Sequence, residues 1–203
     1  MLIDTTIRRI IHEKYLDRNT TEIAFDDINV AFAVAKHCPQ DFIFLSERLR
    51  ANKELLTLVL QNIHYSTDPE GPQPIELASD ALKDDEEIAL LSIKKNPCSI
   101  QWLSFRLKDN DELAEIAMNA SALAYPGLSL RLKERDDYIE SYVIAVENCG
   151  SYCYSAEDFL PMELKNWVNE RGFSTPSVRA WILNKNMSHA KEAKPYKPYD
   201  KKT

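Results

Sequence analysis

The sequence predicts an all-α protein built from tandem helical hairpins, stacked as an α-solenoid or curved helical array. Three observations lead to this prediction: a serine that recurs at nearly constant spacing, an acidic or amide turn before each amphipathic segment, and a scarcity of glycine. The chain has 203 residues and only four glycines. So few glycines disfavour an all-β fold with many tight turns, and they exclude the glycine-rich phosphate-binding motifs.

A short pattern, in which a serine precedes an apolar and a basic residue, recurs along the chain. The serines are Ser46, Ser79, Ser104, Ser129 and Ser155, at spacings of 33, 25, 25 and 26 residues. The long first interval contains a proline-rich insertion at residues 65–75, and removing about eight residues there restores the period. We interpret these serines as small residues that allow helices to approach each other closely.

Each predicted hairpin begins with an amphipathic helix. Aspartate or asparagine caps a helix N-terminus, and glutamate in the first turn suits the helix dipole. Apolar residues follow at positions i, i+3 and i+4, as in Leu113, Ile116 and Ala117. We expect these helices to end in a left-handed conformation near Asn62, Asn96, Asn119 and Asn148. A tight connection and a second helix ending in Leu-Lys or Leu-Arg complete each hairpin.

A single hairpin cannot bury its apolar face, so stacked neighbours must supply the core. We therefore predict an N-terminal capping helix at residues 1–25 and five hairpins at residues 26–160. C-terminal capping helices follow at residues 161–188, and a flexible basic tail at residues 189–203.

These hairpins resemble a bacterial helical-repeat family, domain of unknown function 4116. The best matches run from Asp84 to Asp109 and from Asn110 to Glu134, and weaker similarity extends over about residues 26–160. The resemblance implies a helical-repeat fold and a bacterial or phage origin. It implies no known activity, so function stays open.

The charge is unevenly distributed along the chain. The net charge is −7, with +4 on residues 185–203 and −11 on the remainder. The body is therefore not expected to bind nucleic acid in general. The start lacks the features of a signal peptide, no run is apolar enough to span a membrane, and the four cysteines form no C-x-x-C pair. We expect a cytoplasmic protein, in the host cytoplasm if a phage encodes it.

No catalytic, metal-binding or cofactor-binding residue is predicted. The four histidines are scattered, no zinc-ligand spacing occurs, and no G-x-S-x-G nucleophile motif is present. An enzyme whose site assembles across the fold stays open as an alternative.

Acidic residues at the helix starts form the main candidate site. Stacking would align them along one edge, where they either cap helices or form a ridge for a basic partner protein. The proline-rich insertion is a second candidate contact. The predicted partner-binding residues are Asp84, Asp85, Glu86, Glu87, Asp109, Asp111, Glu112, Asp136 and Asp137 on the edge, and Tyr65, Asp68 and Glu70 in the insertion.

The predicted function is a non-enzymatic protein-binding module that inhibits or assists a partner, with nucleic-acid-processing and defence enzymes as candidate targets. The alternative is direct nucleic-acid binding by the basic tail, in which lysines and tyrosines would contact phosphates and bases. The tail residues are Tyr196, Lys197, Tyr199 and Lys201. The sequence does not predict an oligomeric state.

Overall fold

A computed structural model describes residues 26–63, 73–149 and 156–192. Every regular element in these ranges is a helix and none is a strand, which confirms the all-α prediction. The chain divides into two compact units, residues 1–132 and residues 133–203. The predicted capping helix at residues 1–25 lies outside the described residues.

In the first unit, ten-residue α-helices alternate with shorter helical segments. The ten-residue helices are α1 (Ile28–His37), α3 (Lys53–Asn62), α5 (Glu86–Lys95) and α7 (Asp111–Ala120). Each of these long helices packs against the next. The 3-10 helices are η1 (Pro39–Phe44), η2 (Pro97–Trp102) and η3 (Ala122–Gly127); the one-turn α-helices are α2 (Glu47–Arg50), α4 (Asp80–Lys83), α6 (Phe105–Lys108) and α8 (Leu130–Lys133).

The second helix of the predicted hairpin is broken into two pieces. A 3-10 helix is followed by a one-turn α-helix, and the two are separated by extended backbone, with φ −72° and ψ 167° at Leu103. The break arises because Ser104 caps the one-turn helix α6, and a capping residue adopts extended dihedral angles. A local capping signal therefore overrides a continuous helix at this place.

The buried face of the long helices is rotated relative to the prediction. In α7, Leu113 and Ala117 are buried as expected, whereas Ile116 is 37% exposed. The residues next to the buried pair, Ala114 and Met118, complete the core face instead. In α3, α5 and α7 the triplet members at i+3, which are Leu58, Leu91 and Ile116, are half-buried or exposed, and the core uses positions i, i+1, i+4 and i+5. The later triplet Ile139, Tyr142 and Val143 is buried throughout, as predicted.

The left-handed helix ends predicted near Asn62, Asn96 and Asn119 are also wrong, because the residues that end these helices are extended. The chain after Cys149, where the prediction at Asn148 falls, lies outside the described residues. Asn96 ends α5 with φ −146° and ψ 108°, which is extended backbone. Its side chain accepts a hydrogen bond from the backbone N–H of Cys98 and so starts η2. Ser121 does the same for η3, accepting from the N–H of Leu123. One residue thus ends the long helix and caps the next helix, which leaves no room for a left-handed turn.

The second unit contains α9 (Asp136–Cys149), a 3-10 helix η4 (Ala156–Phe159), α10 (Met162–Arg171) and α11 (Thr175–Glu192). Helix α10 follows Pro161 and ends at Gly172, whose φ of 88° favours glycine. Helix α11 packs against α9 and α10. It continues to Glu192, so its last four residues, 189–192, lie within the predicted tail.

Candidate functional site

A recurring set of polar contacts joins successive one-turn helices in the first unit. Ser104 Oγ donates a hydrogen bond to Asp84 Oδ1 and accepts one from the N–H of Leu107 at 3.3 Å. Arg106 donates from Nε to the same Asp84 oxygen at 3.0 Å and from Nη2 to the Asp84 carbonyl at 2.8 Å. We call this set a clasp: an aspartate, a serine 20 residues later and an arginine 22 residues later.

The clasp occurs three times among the described residues. The same contacts join Ser46 and Arg48 to Asp26. They also join Ser129 and Arg131 to Asp109. The interpretation of these serines as small packing residues is therefore wrong for the three that form clasps, because each hydroxyl both caps a helix and reaches an aspartate. Ser155 lies outside the described residues.

One place lacks the clasp, and there both charged members are replaced together. Five residues after its serine, Ala51 occupies the position that Asp84 and Asp109 occupy in the other repeats. Two residues after its serine, Ala81 occupies the position of Arg106 and Arg131. Ser79 remains, but its side chain makes no capping hydrogen bond. The joint loss of aspartate and arginine is a signal in the sequence, but the two alanines are 30 residues apart, so no local pattern links them.

We expect that the missing clasp can be built. Ala51 has φ −87° and ψ 0°, close to the −98° and 6° of Asp109, and both alanines are exposed. The free energy of unfolding of the double variant A51D/A81R is expected to exceed the value obtained by adding the effects of the two single variants. The excess should be about 0.2–1 kcal/mol, which is the usual contribution of an exposed ion pair. A double-mutant cycle from urea unfolding measures this coupling, and a coupling of zero would mean that α2 and α4 do not meet as α4 and α6 do.

The clasps lower the pKa values of their aspartates. The hydrogen bond from Ser104, and then that from Arg106, hold the pKa of Asp84 below its ordinary value of 3.8. Ser129 and Arg131 lower the pKa of Asp109 in the same way. A lowered folded-state pKa means that this stabilisation is complete well above pH 3.8, and that it is lost as the pH falls through the lowered value.

Urea unfolding at two pH values tests whether the clasps stabilise the protein only when their aspartates are ionised. The variant D84A/D109A is expected to unfold at a lower urea concentration than the wild type at pH 6, because it lacks two clasps. At pH 2 the two proteins should unfold at more similar concentrations, since protonation then weakens the wild-type clasps. A difference that stays constant from pH 6 to pH 2 would contradict the assignment.

The predicted acidic edge of the first unit is paired within the protein. Asp85 caps α5, accepting from the N–H groups of Glu87 and Ile88, and also pairs with Lys53 at 2.7 Å. Lys53 contacts Glu87 at 2.8 Å as well. Two further acidic residues of the edge are also paired: Arg106 forms an ion pair with Glu86, and Arg131 forms one with Asp111. Helix capping is thus the role of Asp85, whereas Asn110 rather than Asp109 caps α7.

Glu112 differs from these residues, because no other described residue forms an ion pair with it. In the second unit, Asp136 pairs with Lys185 at 2.8 Å and Asp137 with Arg135 at 2.7 Å. The Arg135 guanidinium lowers the pKa of Asp137. The edge in the first unit therefore consists of Asp84–Glu87, Asp109, Asp111 and Glu112.

Two exposed apolar residues occur beside this edge, and the sequence analysis did not include them. Phe105 is 77% exposed and Leu130 is 79% exposed. Each is the first residue of a one-turn helix, directly between the serine and the arginine of a clasp. The corresponding residues in α2 and α4 are Glu47 and Asp80. The residue after the serine is acidic in α2 and α4 but apolar in α6 and α8, and this change is the sequence signal that could have identified Phe105 and Leu130.

The other predicted contacts have no structural description. Tyr65, Asp68 and Glu70 of the insertion lie outside the described residues. So do Tyr196, Lys197, Tyr199 and Lys201 of the tail. Over residues 26–63, 73–149 and 156–192, no cluster of three or more His, Cys, Asp or Glu side chains could hold a metal ion. Nor does any helix within those ranges have the length and apolar character needed to cross a membrane.

Comparison with protein families gives one match. The family model described as Domain of unknown function (DUF4116) matches residues 70–108 and 85–133, two overlapping segments. This confirms the resemblance, and the matched segments include Phe105, Leu130 and the clasps at Asp84 and Asp109. Searches of curated proteins and of solved structures found no match.

Proposed function

We propose that this protein is a non-enzymatic, protein-binding module whose helical hairpins stack as an α-solenoid. It acts in the cytoplasm as an inhibitor or accessory factor of a partner protein. The observation that carries the proposal is the exposure of Phe105 and Leu130 at the same position of successive one-turn helices. Large apolar side chains surrounded by polar residues are typical of the anchors of protein interfaces.

The clasps support this role for the two residues. Arg106 and Arg131 follow Phe105 and Leu130 directly, and each arginine is held by two carboxylates. The clasps hold the backbone of the one-turn helices that carry the anchors, which reduces the backbone entropy that is lost when a partner binds. A fixed apolar anchor binds more tightly than a mobile one for this reason.

The charge of the edge favours a basic partner surface. Its seven carboxylates are accompanied by five basic residues, which leaves a surplus of two negative charges. The basic residues are Lys53, Lys83, Arg106, Lys108 and Arg131. We therefore propose a partner that offers an apolar pocket bordered by lysine or arginine, because complementary charge speeds association and selects partners. A basic surface is common among nucleic-acid-processing enzymes, which are the partner class that we propose.

An affinity pull-down tests the class of partner. The full-length chain is used to retain proteins from a lysate of the source cells, with and without nuclease treatment, and the retained proteins are identified by mass spectrometry. We expect one stoichiometric protein that persists after nuclease treatment. Retention that disappears with nuclease would contradict protein binding and would favour nucleic-acid binding by the tail.

A further inference from the structure

A second surface of the first unit lies on the solvent side of the long helices. A groove of about 520 Å³ opens there between α1, α3 and α5. Phe32 and Leu58, both half-buried, supply its apolar part. Glu54, Lys53 and Glu87 supply its charged part.

Two contacts fix the register of α3 and α5 along this groove. At one end, Lys53, the first residue of α3, pairs with the α5 cap Asp85 at 2.7 Å. At the other end, Lys95, the last residue of α5, donates to the carbonyl of Gln61 near the end of α3 at 2.8 Å. The two helices are therefore parallel and in register over their whole length.

This register places equivalent residues of α3 and α5 side by side. The second residue of each helix is a glutamate, Glu54 or Glu87, and the sixth is a half-buried leucine, Leu58 or Leu91. An acidic pair therefore lies beside an apolar pair.

We propose that this groove binds an extended segment of a protein in which a leucine-like side chain and a lysine or arginine lie two residues apart, on the same side of the segment. The apolar side chains contact Phe32 and Leu58, and a basic side chain pairs with Glu54. Glu54 forms no ion pair with another described residue, so its carboxylate is available to a ligand. Glu87 is already shared with Lys53, and it adds negative potential at the same place.

The shape and charge of the groove favour this occupant over others. Small-molecule sites bury most of their ligand, and this groove is open to solvent along its length. Carboxylates along one side repel phosphate groups, which disfavours nucleic acid. Glu54 and Leu58 are one helical turn apart on α3, about 6 Å along the helix. Residues i and i+2 of an extended segment point the same way and lie about 6.6 Å apart, so a leucine and an arginine two residues apart reach both side chains.

The probe for this proposal is the peptide acetyl-Leu-Ser-Arg-Ser-Leu-amide, whose leucines and arginine share one side when it is extended, titrated into the isotope-labelled full-length protein. Backbone amide shifts measured by NMR are expected to change at the groove residues of α1, α3 and α5. Glu54→Lys is expected to weaken binding by about fivefold, because it replaces an attraction with a repulsion at the surface. The matched control is Glu47→Lys, an identical charge change on α2, which should leave the affinity unchanged.

Several results would overturn the proposal. These are equal affinity for acetyl-Leu-Ser-Glu-Ser-Leu-amide, an equal effect of the two charge reversals, or the absence of shifts in α3 and α5. An absence of shifts would mean that the groove does not bind such a segment. The variant F105S/L130S should bind the peptide as the wild type does, so that failure here and failure at the acidic edge are distinguishable.

Discussion

Replacing Gly127 by alanine is expected to destabilise the first unit by about 1–3 kcal/mol, the usual cost of adding volume at a tightly packed place. A Cβ at this position would lie 2.7 Å from the backbone nitrogen of Gln101 and 2.8 Å from Ile100 Cγ2. Helices η2 and η3 pack against each other here. Because Gln101 meets the new carbon with its backbone, the clash is relieved only if the two helices move apart.

Urea unfolding followed by circular dichroism measures the effect. Gly172→Ala is an informative comparison, since nothing lies within 4 Å of a Cβ at Gly172, but its φ of 88° strains any other residue. Alanine at Gly172 therefore lowers the stability through backbone strain, whereas alanine at Gly127 lowers it through a steric clash. Wild-type stability in Gly127→Ala would show that η2 and η3 are farther apart than the structure has them.

Two leucines of the same one-turn helix are expected to respond very differently to truncation. Leu132 is fully buried, and Leu132→Ala should cost about 2–5 kcal/mol from lost apolar burial and the cavity left behind. Leu130 is 79% exposed, and Leu130→Ala should change stability by less than about 0.5 kcal/mol.

The comparison is matched, because both substitutions are leucine to alanine within α8. Denaturant unfolding of the two variants provides the measurement. Equal losses would contradict the exposed position of Leu130 and, with it, the proposed binding role. A stable Leu130→Ala protein instead shows that leucine at this exposed position contributes little to folding.

Local patterns in the sequence predict the long helices well, because their signals lie within a few residues of each other. Asn52, Asp85 and Asn110 cap α3, α5 and α7, as their position before an amphipathic segment indicates. The face of each helix that becomes buried is harder to predict. It depends on the neighbouring helix, which places Ile116 outside the core although its spacing fits the apolar pattern.

The clasps show why the candidate site was predicted only in part. Asp84 has its partners 20 and 22 residues away, so no local pattern links it to Ser104 and Arg106. From the sequence alone, the aspartate therefore fits either helix capping or an acidic ridge, and the serine fits close packing of helices. Once the three are seen together, the joint change to Ala51 and Ala81 becomes understandable, because neither charge is useful without the other.

The clasps also change the physical meaning of the acidic edge. An unpaired acidic ridge would attract basic partners over long distances, whereas paired carboxylates contribute less because their charge is neutralised nearby. Binding at this edge should therefore depend mainly on Phe105 and Leu130, with the surplus charge selecting the partner. This order of contributions is typical of interfaces with a few apolar anchors and a polar rim.

Quantitative retention of the partner by two matched variants tests the central claim most directly. F105S/L130S removes both apolar anchors, and E47S/D80S changes the same helix position in α2 and α4. All four residues are exposed, so both variants are expected to keep wild-type stability. We predict that F105S/L130S loses at least tenfold in retained partner while E47S/D80S retains the wild-type amount, a ratio corresponding to about 1.4 kcal/mol of binding free energy. Equal retention by the two variants would contradict the account.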